Sequence, residues 1–329
     1  MAELRYNPLL DTWTMVASNR QNRPNLNKDY CPFCPGSGRV PDAYTIYVYA
    51  NDFPALSQNP PPPDPLPYSD LYAVQPSYGH CEVILFSSDH HQSLWQLPTA
   101  QIIELIDTWA ERTTLLAADE KIKYIFPFEN RGEAVGVTMH HPHGQLYAYS
   151  FVPLKLKTEL QNAKKYYQKH GRNLFSDMIA QERNDERRII FENDNFIAFI
   201  PFFTDYPFGV FIINKNNTNF IPKTNVTERK DLASIIKVIT GGFDTLYNKR
   251  FPYMMCVHQA PVNDAEYADC ADYYRLHIEF YPPWRAEDTI KYYASSEMGA
   301  WAAANTRAVE DSAAELRAAV NLFISKINA

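Results

Sequence analysis

An α+β fold with two related halves is predicted by landmarks that occur twice in the chain in the same order. Each half contains a strand-like run, a polar link and a helical run. A phrase with Asn, Asp and Phe precedes each strand-like run, and a histidine phrase follows each helical run. Four landmarks in one order favour an internal duplication of a unit of roughly 150 residues, which is an ordinary domain size.

In the first half, the phrase with Asn, Asp and Phe is Tyr49–Ala55. The apolar run Cys81–Phe86 predicts a largely buried strand, and Pro98–Leu116 carries apolar residues at helical spacing. The histidine phrase follows as His141-Pro142-His143-Gly144-Gln145. Residues 59–68 are proline-rich and predict a surface loop, because proline removes the amide donor and fixes the backbone.

The second half repeats these landmarks with Glu192–Ala198, the strand-like Gly209–Ile213, a helical pattern over Leu232–Phe243 and the phrase His277–Tyr281. The polar stretch Thr158–Arg187 predicts a connecting helical region. We therefore divide the chain into residues 1–157 and residues 158–329.

The chain is predicted to end in a helix, because Leu316, Val320, Phe323, Ile324 and Ile327 form an apolar stripe. We expect this stripe to pack on the body of the protein.

Composition limits the classes of function. The 329 residues are 46% hydrophobic and 14% aromatic, which indicates a globular chain with a sizeable core. A net charge of -7 argues against binding to long nucleic acids, which needs a basic surface. There is no apolar run of about 18 residues and no secretion signal, so we expect no membrane span and a cytoplasmic location. Five cysteines indicate thiols or metal ligands rather than a disulfide framework.

The histidine phrase of the first half concentrates the chemistry of this chain. In an extended segment, His141, His143 and Gln145 lie on one face, while Pro142 and Gly144 point away. An imidazole that is unprotonated near neutral pH attacks phosphorus readily and leaves again as a good leaving group. His-x-His is also a common way to present two ligands to a metal. From spacing alone, both interpretations stay open.

Read with its surroundings, this phrase resembles the galactose-1-phosphate uridylyltransferase family, the transferase branch of the histidine triad superfamily. The resemblance covers nearly the whole chain. It is carried by these segments: Asn7–Trp13, Arg20–Pro24, Cys31-Pro32-Phe33-Cys34, Asn51-Asp52-Phe53, Phe86–His90, Phe128-Glu129-Asn130, His141–Gln145 and Leu276–Pro283.

The resemblance implies a nucleotidyltransferase of galactose metabolism that works by ping-pong exchange. UDP-glucose would give its uridylyl group to His143, glucose 1-phosphate would leave, and galactose 1-phosphate would then take the group to form UDP-galactose. Gln145 would donate its amide to the phosphoryl oxygens. Histidine triad hydrolases carry a third histidine at the position of Gln145, and the amide here favours transfer over hydrolysis, since it supplies no proton.

The resemblance also implies substrate contacts. They are Arg20 and Arg23 near the phosphates, Asn51, Asp52 and Phe53 around the uridine, Asn130, Gly136 and Thr138 at the phosphoryl centre, and Lys291 and Glu297 reaching the partner subunit's site in a homodimer. It implies two α+β halves, each a mostly antiparallel sheet with helices packed against it, joined side by side.

Two metal sites follow from the same resemblance. Cys31, Cys34, His90 and His141 match a structural zinc site, with His91 as a possible substitute ligand. The second set is Glu159, His258, His277 and Glu279. Glu279 departs from the family, which has a histidine there, so the site either binds iron or zinc with altered preference or is replaced by hydrogen bonds.

Two other functions remain open from the sequence. One is a related nucleotide-sugar phosphorylase or nucleotidylyltransferase with another base or acceptor. The other is a non-catalytic protein that binds a nucleotide sugar. The acceptor sugar cannot be read from the residues.

Overall fold

The computed structural model describes residues 2–18, 30–65, 69, 71–137 and 139–329. The predicted contacts Arg20, Arg23 and Thr138 lie outside these residues. The first half contains the following elements: β1 (Ala2–Asn7), β2 (Thr12–Ala17), β3 (Tyr47–Ala50), β4 (Val74–Pro76), β5 (Gly79–Leu85), α1 (Thr99–Ala117), β6 (Tyr124–Arg131) and β7 (His143–Tyr149).

The second half begins with two helices, as predicted for the connecting region. Its elements are α2 (Leu154–His170), α3 (Leu174–Asp185), β8 (Ile189–Glu192), β9 (Phe196–Phe199), β10 (Val210–Asn214), α4 (Val226–Leu246), β11 (Tyr253–His258), β12 (His277–Tyr281), β13 (Trp284–Ala286), β14 (Thr289–Ile290), α5 (Ser295–Gly299) and α6 (Val309–Asn328).

One sheet of nine strands runs through both halves in the order β3-β5-β7-β6-β11-β12-β10-β9-β8. All of its pairings are antiparallel. The halves meet where β6 pairs with β11, with Tyr253 opposite Arg131 and Cys256 opposite Phe128. The side-by-side junction expected from the sequence is therefore a continuous hydrogen-bonded sheet.

The order of the strands mirrors itself about this junction and confirms the internal repeat. On one side the order outward is β6, β7, β5, β3, and on the other it is β11, β12, β10, β9. β7 and β12 occupy matching places, and each begins with a histidine, His143 and His277. The predicted α+β fold with antiparallel sheets flanked by helices is confirmed.

Local sequence explains where the helices begin and end. Asn225 starts α4 with a capping box, because its Oδ1 accepts from the Glu228 amide at 2.9 Å and the Glu228 carboxylate accepts from the Asn225 amide at 3.0 Å. α2 ends at Gly171, whose φ of 65° is in the left-handed region that favours glycine.

The helices α1, α4 and α6 cover one face of the large sheet. Side chains at alternate strand positions, such as Ile84, Leu146 and Ile278, are buried there with the apolar faces of the helices. Each such side chain contributes about 1.5–3 kcal/mol of hydrophobic stabilisation relative to exposure.

The terminal helix α6 packs on α4, as its apolar stripe predicted. Leu316, Val320 and Phe323 are buried, whereas Ile327 is exposed. The two helices approach closely at Gly241, where an added Cβ would lie 2.2 Å from the Phe323 ring.

The other face of the large sheet carries the polar residues that the sequence singled out. On the first half it is partly covered by the small sheet β2-β1-β4, through apolar contacts that include Leu4, Tyr147 and Tyr149. On the second half it is covered by α2 and α3, with Leu160 and Ile179 buried against Ile197. Polar side chains on this face of the sheet, between the small sheet on one side and helices α2 and α3 on the other, are therefore partly enclosed.

The proline-rich stretch over its described residues, 59–65, forms no helix or strand, in agreement with the surface loop expected from the sequence. None of the helices in the described residues is both long and apolar enough to span a membrane.

Candidate active site

The histidine phrase forms the start of β7. His143 and Gln145 point to the polar face of the sheet, as alternation predicts, and their partners on β5 are Leu85 and Val83. Gly144 points to the opposite face. An added Cβ at Gly144 would lie 2.7 Å from Phe86 Cζ and 2.9 Å from the Phe128 carbonyl oxygen. A glycine is therefore required for β7 to reach this position between its neighbours.

The tautomer of His143 is fixed by a backbone contact. Its Nδ1 lies 2.7 Å from the carbonyl oxygen of His141, and a carbonyl can only accept. Nδ1 therefore carries the hydrogen, and Nε2 holds the lone pair of the imidazole. Such a nitrogen can attack an electrophilic phosphorus without first losing a proton.

His143 lines a pocket at the end of the sheet. The walls of this pocket include Asn130, Arg131, Val137, Met139, His143 and Arg250. Asn130, which was predicted at the phosphoryl centre, lines this pocket together with His143. Gly136 ends the short helical turn 133–135 with a φ of 80°, next to the lining residue Val137. Gln145 lies two residues further along β7 and is half-buried.

The predicted zinc ligands converge beside His143. The ligand atoms of Cys31, Cys34, His90 and His141 all lie within 4.8 Å of one another. Cys34 Sγ is 3.4 Å from His90 Nδ1 and 3.7 Å from His141 Nδ1. Zn–S bonds of 2.3 Å and Zn–N bonds of about 2.0 Å in a tetrahedron give sulfur–nitrogen separations of roughly 3.5 Å. The donor set therefore fits a zinc ion, with His90 rather than His91 in the cluster.

The protonation of this cluster also suits a cation. Burial lowers the pKa of His141 to about 4, so its imidazole is neutral. The His141 Nε2 is 2.8 Å from the Ser87 carbonyl oxygen, which leaves Nδ1 to face the sulfur atoms. Burial raises the pKa of the Cys31 thiol to about 11 in the absence of a cation. A bound divalent ion reverses that preference, because it stabilises the thiolate.

His141 links the cysteine–histidine cluster to His143. Its Nδ1 faces the two sulfur atoms, and its carbonyl oxygen accepts from His143 Nδ1. A metal ion held by this cluster would therefore hold the group that orients the His143 ring.

The second predicted metal set also comes together, on the same face of the sheet. The ligand atoms of Glu159, His258, His277 and Glu279 lie within 4.8 Å of one another. His277 Nε2 is 3.5 Å from Glu279 Oε1 and 3.9 Å from Glu159 Oε2. In the mirrored strand order of the two halves, β12 corresponds to β7, so His277 corresponds to His143 and Glu279 corresponds to Gln145. The His277 Nδ1 even repeats the contact of His143, since it lies 2.9 Å from the Arg275 carbonyl oxygen.

Lys155 is a residue of this cluster that the sequence did not reveal. Its Nζ lies 2.5 Å from Glu279 Oε2 and also contacts the Tyr281 hydroxyl. One oxygen of Glu279 therefore has a cation partner already, and the other faces His277. The set of two imidazoles and two carboxylates still offers one donor atom from each residue to a divalent ion.

The residues expected around the uridine follow β3. The Asn51 Oδ1 accepts from the Phe53 amide at 2.9 Å and forms a local turn. Asp52 is paired with Arg39 at 2.8 Å and accepts from the Tyr49 hydroxyl at 3.0 Å. These residues lie at the opposite side of β5 from His143 and do not line its pocket.

Lys291 and Glu297 lie in the C-terminal part of the chain and do not line the His143 pocket of their own chain. Their charged groups are 3.9 Å apart. Lys291 is buried, its Nζ lies 4.1 Å from the centre of the Tyr293 ring, and it has no hydrogen-bond partner among the described residues. A buried ammonium in this state is suited to an anionic ligand.

Glu129 is a buried carboxyl at the wall of the pocket, and sequence reasoning assigned it no role. It is 4% exposed, and its Oε2 accepts from the Tyr253 hydroxyl at 3.0 Å. Burial raises its pKa to about 7, although Arg131 and the Tyr253 hydroxyl oppose that change. The folded protein therefore holds a proton on Glu129 that the unfolded chain loses near pH 4.5.

The Glu129→Gln variant should consequently become more stable than the parent as pH rises. Below about pH 4.5, Glu129 of the parent is protonated in both the folded and the unfolded state. Between pH 4.5 and 7 only the folded state keeps this proton, so the free energy of unfolding of the parent falls as pH rises. We expect a gain of about 1–3 kcal/mol at pH 8 that is absent at pH 4.5. Urea unfolding across this range measures it, with the exposed Glu133→Gln as control. An equal difference at both pH values would contradict the expectation.

The mirrored sheet, the fixed tautomer of His143 and the adjacent cysteine–histidine cluster define a class: a two-half α+β protein in which an imidazole lines a pocket next to a candidate metal site. Sequence models of the galactose-1-phosphate uridyl transferase N-terminal and C-terminal domains match residues 1–153 and 159–320. The chain belongs to the galactose-1-phosphate uridylyltransferase family.

Individual relatives agree with this placement. A galactose-1-phosphate uridylyltransferase from Thermotoga maritima is 36% identical over 318 residues, which cover 96% of this chain and 98% of the relative. One from Saccharomyces cerevisiae is 32% identical over 317 residues, covering 87% of this chain and 86% of the relative. A solved structure of a uridylyltransferase has a TM-score of 0.87 at 30% identity and covers 97% of this chain and 99% of its own.

A more distant structure shares the fold alone. The ADP-glucose phosphorylase from Arabidopsis thaliana with bound ADP-glucose has a TM-score of 0.73 at 23% identity, covering 96% of this chain and 99% of its own.

Proposed function

We propose that this protein is a hexose-1-phosphate uridylyltransferase that converts UDP-glucose and galactose 1-phosphate to glucose 1-phosphate and UDP-galactose. The observation that carries the proposal is the His143 ring, whose Nδ1 is held by the His141 carbonyl at 2.7 Å so that Nε2 keeps its lone pair in a lined pocket. Membership of the family and relatives named for this activity support the choice of substrates.

The reaction proceeds in two displacements at the same phosphorus. In the first, a bond forms between His143 Nε2 and the α-phosphorus of UDP-glucose, while the bond to the bridging oxygen breaks and glucose 1-phosphate leaves with the electron pair. In the second, an oxygen of galactose 1-phosphate attacks the phosphorus, and the nitrogen leaves. Neither step requires a proton donor, since a phosphate is a competent leaving group.

Gln145 fits a reaction without proton transfer. Its amide donates hydrogen bonds to phosphoryl oxygens, which gain negative charge in the transition state, but it cannot act as an acid. Asn130, which lines the pocket, offers a second amide. Arg20, Arg23, Asn51, Asp52 and Phe53 remain the proposed contacts to the nucleotide.

We infer that the first metal cluster holds structural zinc, because four protein ligands close a tetrahedral site. For the second cluster we propose iron or zinc bound by two imidazoles and two carboxylates, supported by the convergence of its four ligand atoms. Three strand spacings of about 4.8 Å separate β12 from β7, so this cluster lies more than about 14 Å from His143, which supports a structural role.

We also propose that the protein works as a homodimer in the cytoplasm. Lys291 and Glu297 do not line the His143 pocket of their own chain, which supports a role for them at a partner's site. Near them Tyr292, Met298 and Trp301 expose large apolar surfaces, which suits a partner subunit. The five cysteines, all in the described residues, form no disulfide, as expected in a reducing compartment.

The test is capture of the intermediate. The protein is incubated with UDP-glucose labelled in the uridylyl phosphate, and without acceptor the label should become bound to His143, acid-labile and stable to base. Adding galactose 1-phosphate should release it as UDP-galactose. A panel with other hexose 1-phosphates, with inorganic phosphate and with ADP-glucose distinguishes a related phosphorylase. Binding of UDP-glucose without any bound label would contradict the proposal and indicate a non-catalytic nucleotide-sugar-binding protein.

A further inference from the structure

Arg250 brings a positive charge to the His143 pocket from the other half of the chain. It lies between α4 and β11, and its side chain lines the pocket together with Asn130 and His143. Its Nη2 donates to the His140 carbonyl oxygen at 3.1 Å. This contact places the guanidinium beside the segment that leads into the nucleophile.

The charge of Arg250 is not neutralised by a carboxylate among the described residues. Arg131, the other arginine of the pocket wall, is buried and donates to both oxygens of Asp244 at 2.6 and 2.7 Å. Arg250 is exposed, makes one hydrogen bond within the described chain and forms no ion pair there. A guanidinium has five donors, so most of its hydrogen-bonding capacity faces the pocket and solvent.

The order of the strands indicates which part of the substrate would meet Arg250. Asn51, Asp52 and Phe53 follow β3, which lies two strands from β7 on one side. Arg250 precedes β11, two strands from β7 on the other side. With strands about 4.8 Å apart, β3 and β11 each lie about 10 Å across the sheet from β7. Along the strands, Asn51 and Arg250 lie on opposite sides of the level of His143. A UDP-sugar whose uridine lies on the β3 side extends its hexose phosphate toward β6 and β11.

We propose that Arg250 binds the phosphate of the hexose 1-phosphate, both as it leaves UDP-glucose and as it enters from solution. This inference rests on the proposed uridylyl transfer. When the bond between the α-phosphorus and the bridging oxygen breaks, the electron pair stays on the departing phosphate, which gains one negative charge. Arg250 stabilises that charge without giving up a proton, because its guanidinium stays protonated. It thereby offers the charge stabilisation that Gln145, as a neutral amide, supplies only weakly.

Arg250→Met tests the proposal. We expect the KM for galactose 1-phosphate to rise at least about tenfold and the labelling of His143 by UDP-glucose to slow by a similar factor, as for loss of a charged hydrogen bond. The affinity for UMP, which has no hexose phosphate, should stay within about twofold, because UMP does not reach Arg250. The Arg250→Lys variant should keep part of the parent's affinity for galactose 1-phosphate, since lysine keeps the charge but not the paired donors of the guanidinium.

The matched control is Lys249→Met, the adjacent cation, which pairs with Glu287 and Asp288 at 2.6 Å and does not line the pocket. It should leave both KM and labelling unchanged. An unchanged KM for galactose 1-phosphate in Arg250→Met would overturn the inference, and so would an equal loss of UMP affinity, which would indicate that Arg250 merely holds the His140 segment in place. Either result leaves the labelling of His143 in the parent protein intact, so the proposed function is judged separately.

Discussion

The His143→Asn variant is expected to lose uridylyl transfer by at least about 10⁴-fold while it still binds UDP-glucose. Asparagine fills the site and can keep a hydrogen bond to the His141 carbonyl oxygen, which the parent imidazole contacts at 2.7 Å. An amide nitrogen has no lone pair available for attack on phosphorus, so the covalent intermediate cannot form. The remaining pocket, including Asn130, is unchanged, and substrate affinity should change by less than about threefold.

Turnover is measured with a coupled assay for glucose 1-phosphate, and affinity by calorimetry with UDP-glucose. His170→Asn is the matched control, because that ring lies at the end of α2, in contact with the Tyr166 ring, and does not line the pocket. It should keep full activity. A His143→Asn protein with more than a tenth of the parent rate would show that the nucleophile is another residue or that transfer is direct.

The second large effect is expected from Cys34→Ala. Cys34 Sγ lies close to both His90 Nδ1 and His141 Nδ1, so its loss opens the cluster on two sides. We expect the protein to lose one equivalent of zinc and on the order of 3 kcal/mol or more of free energy of unfolding. Activity should fall by up to about 100-fold, because the His141 carbonyl that orients His143 is no longer braced.

Elemental analysis, thermal unfolding and the coupled assay measure these three effects. Cys270→Ala is the matched control, since that thiol is buried and belongs to neither metal cluster. It should retain zinc and activity despite a small loss of packing. If Cys34→Ala keeps its zinc, the ion is bound elsewhere. If it loses zinc but keeps full activity, the orientation of His143 does not depend on the metal.

The histidine phrase and the two candidate metal clusters were predictable because their residues lie in short motifs of fixed geometry. In a strand, alternation by itself sends His143 and Gln145 to one face. The two sets of predicted metal ligands each converge within 4.8 Å, as the resemblance implied. Helices α1, α4 and α6 were predictable because apolar spacing depends only on the period of the helix. The one apolar residue of the final stripe that is exposed, Ile327, lies near the C-terminal end of α6.

Contacts between distant parts of the chain were not predictable in the same way. Lys155 and Glu279 are 124 residues apart, and Arg250 and the His140 carbonyl are 110 residues apart. Nothing in the local pattern of either residue indicates its partner. The raised pKa of Glu129 likewise depends on its burial in the folded protein, which outweighs the opposing effects of Arg131 and Tyr253.

The sequence by itself determined the side chains on which the proposed chemistry depends: an imidazole followed two residues later by an amide, two sets of candidate metal ligands and a duplicated unit. These depend on residue type and on spacings of a few residues, where backbone geometry allows few alternatives. Only the tertiary structure decided that β6 pairs with β11 and thereby brings Arg250 to the His143 pocket. Pairing between distant strands is selected by packing of the whole core, so it cannot be read from either strand alone.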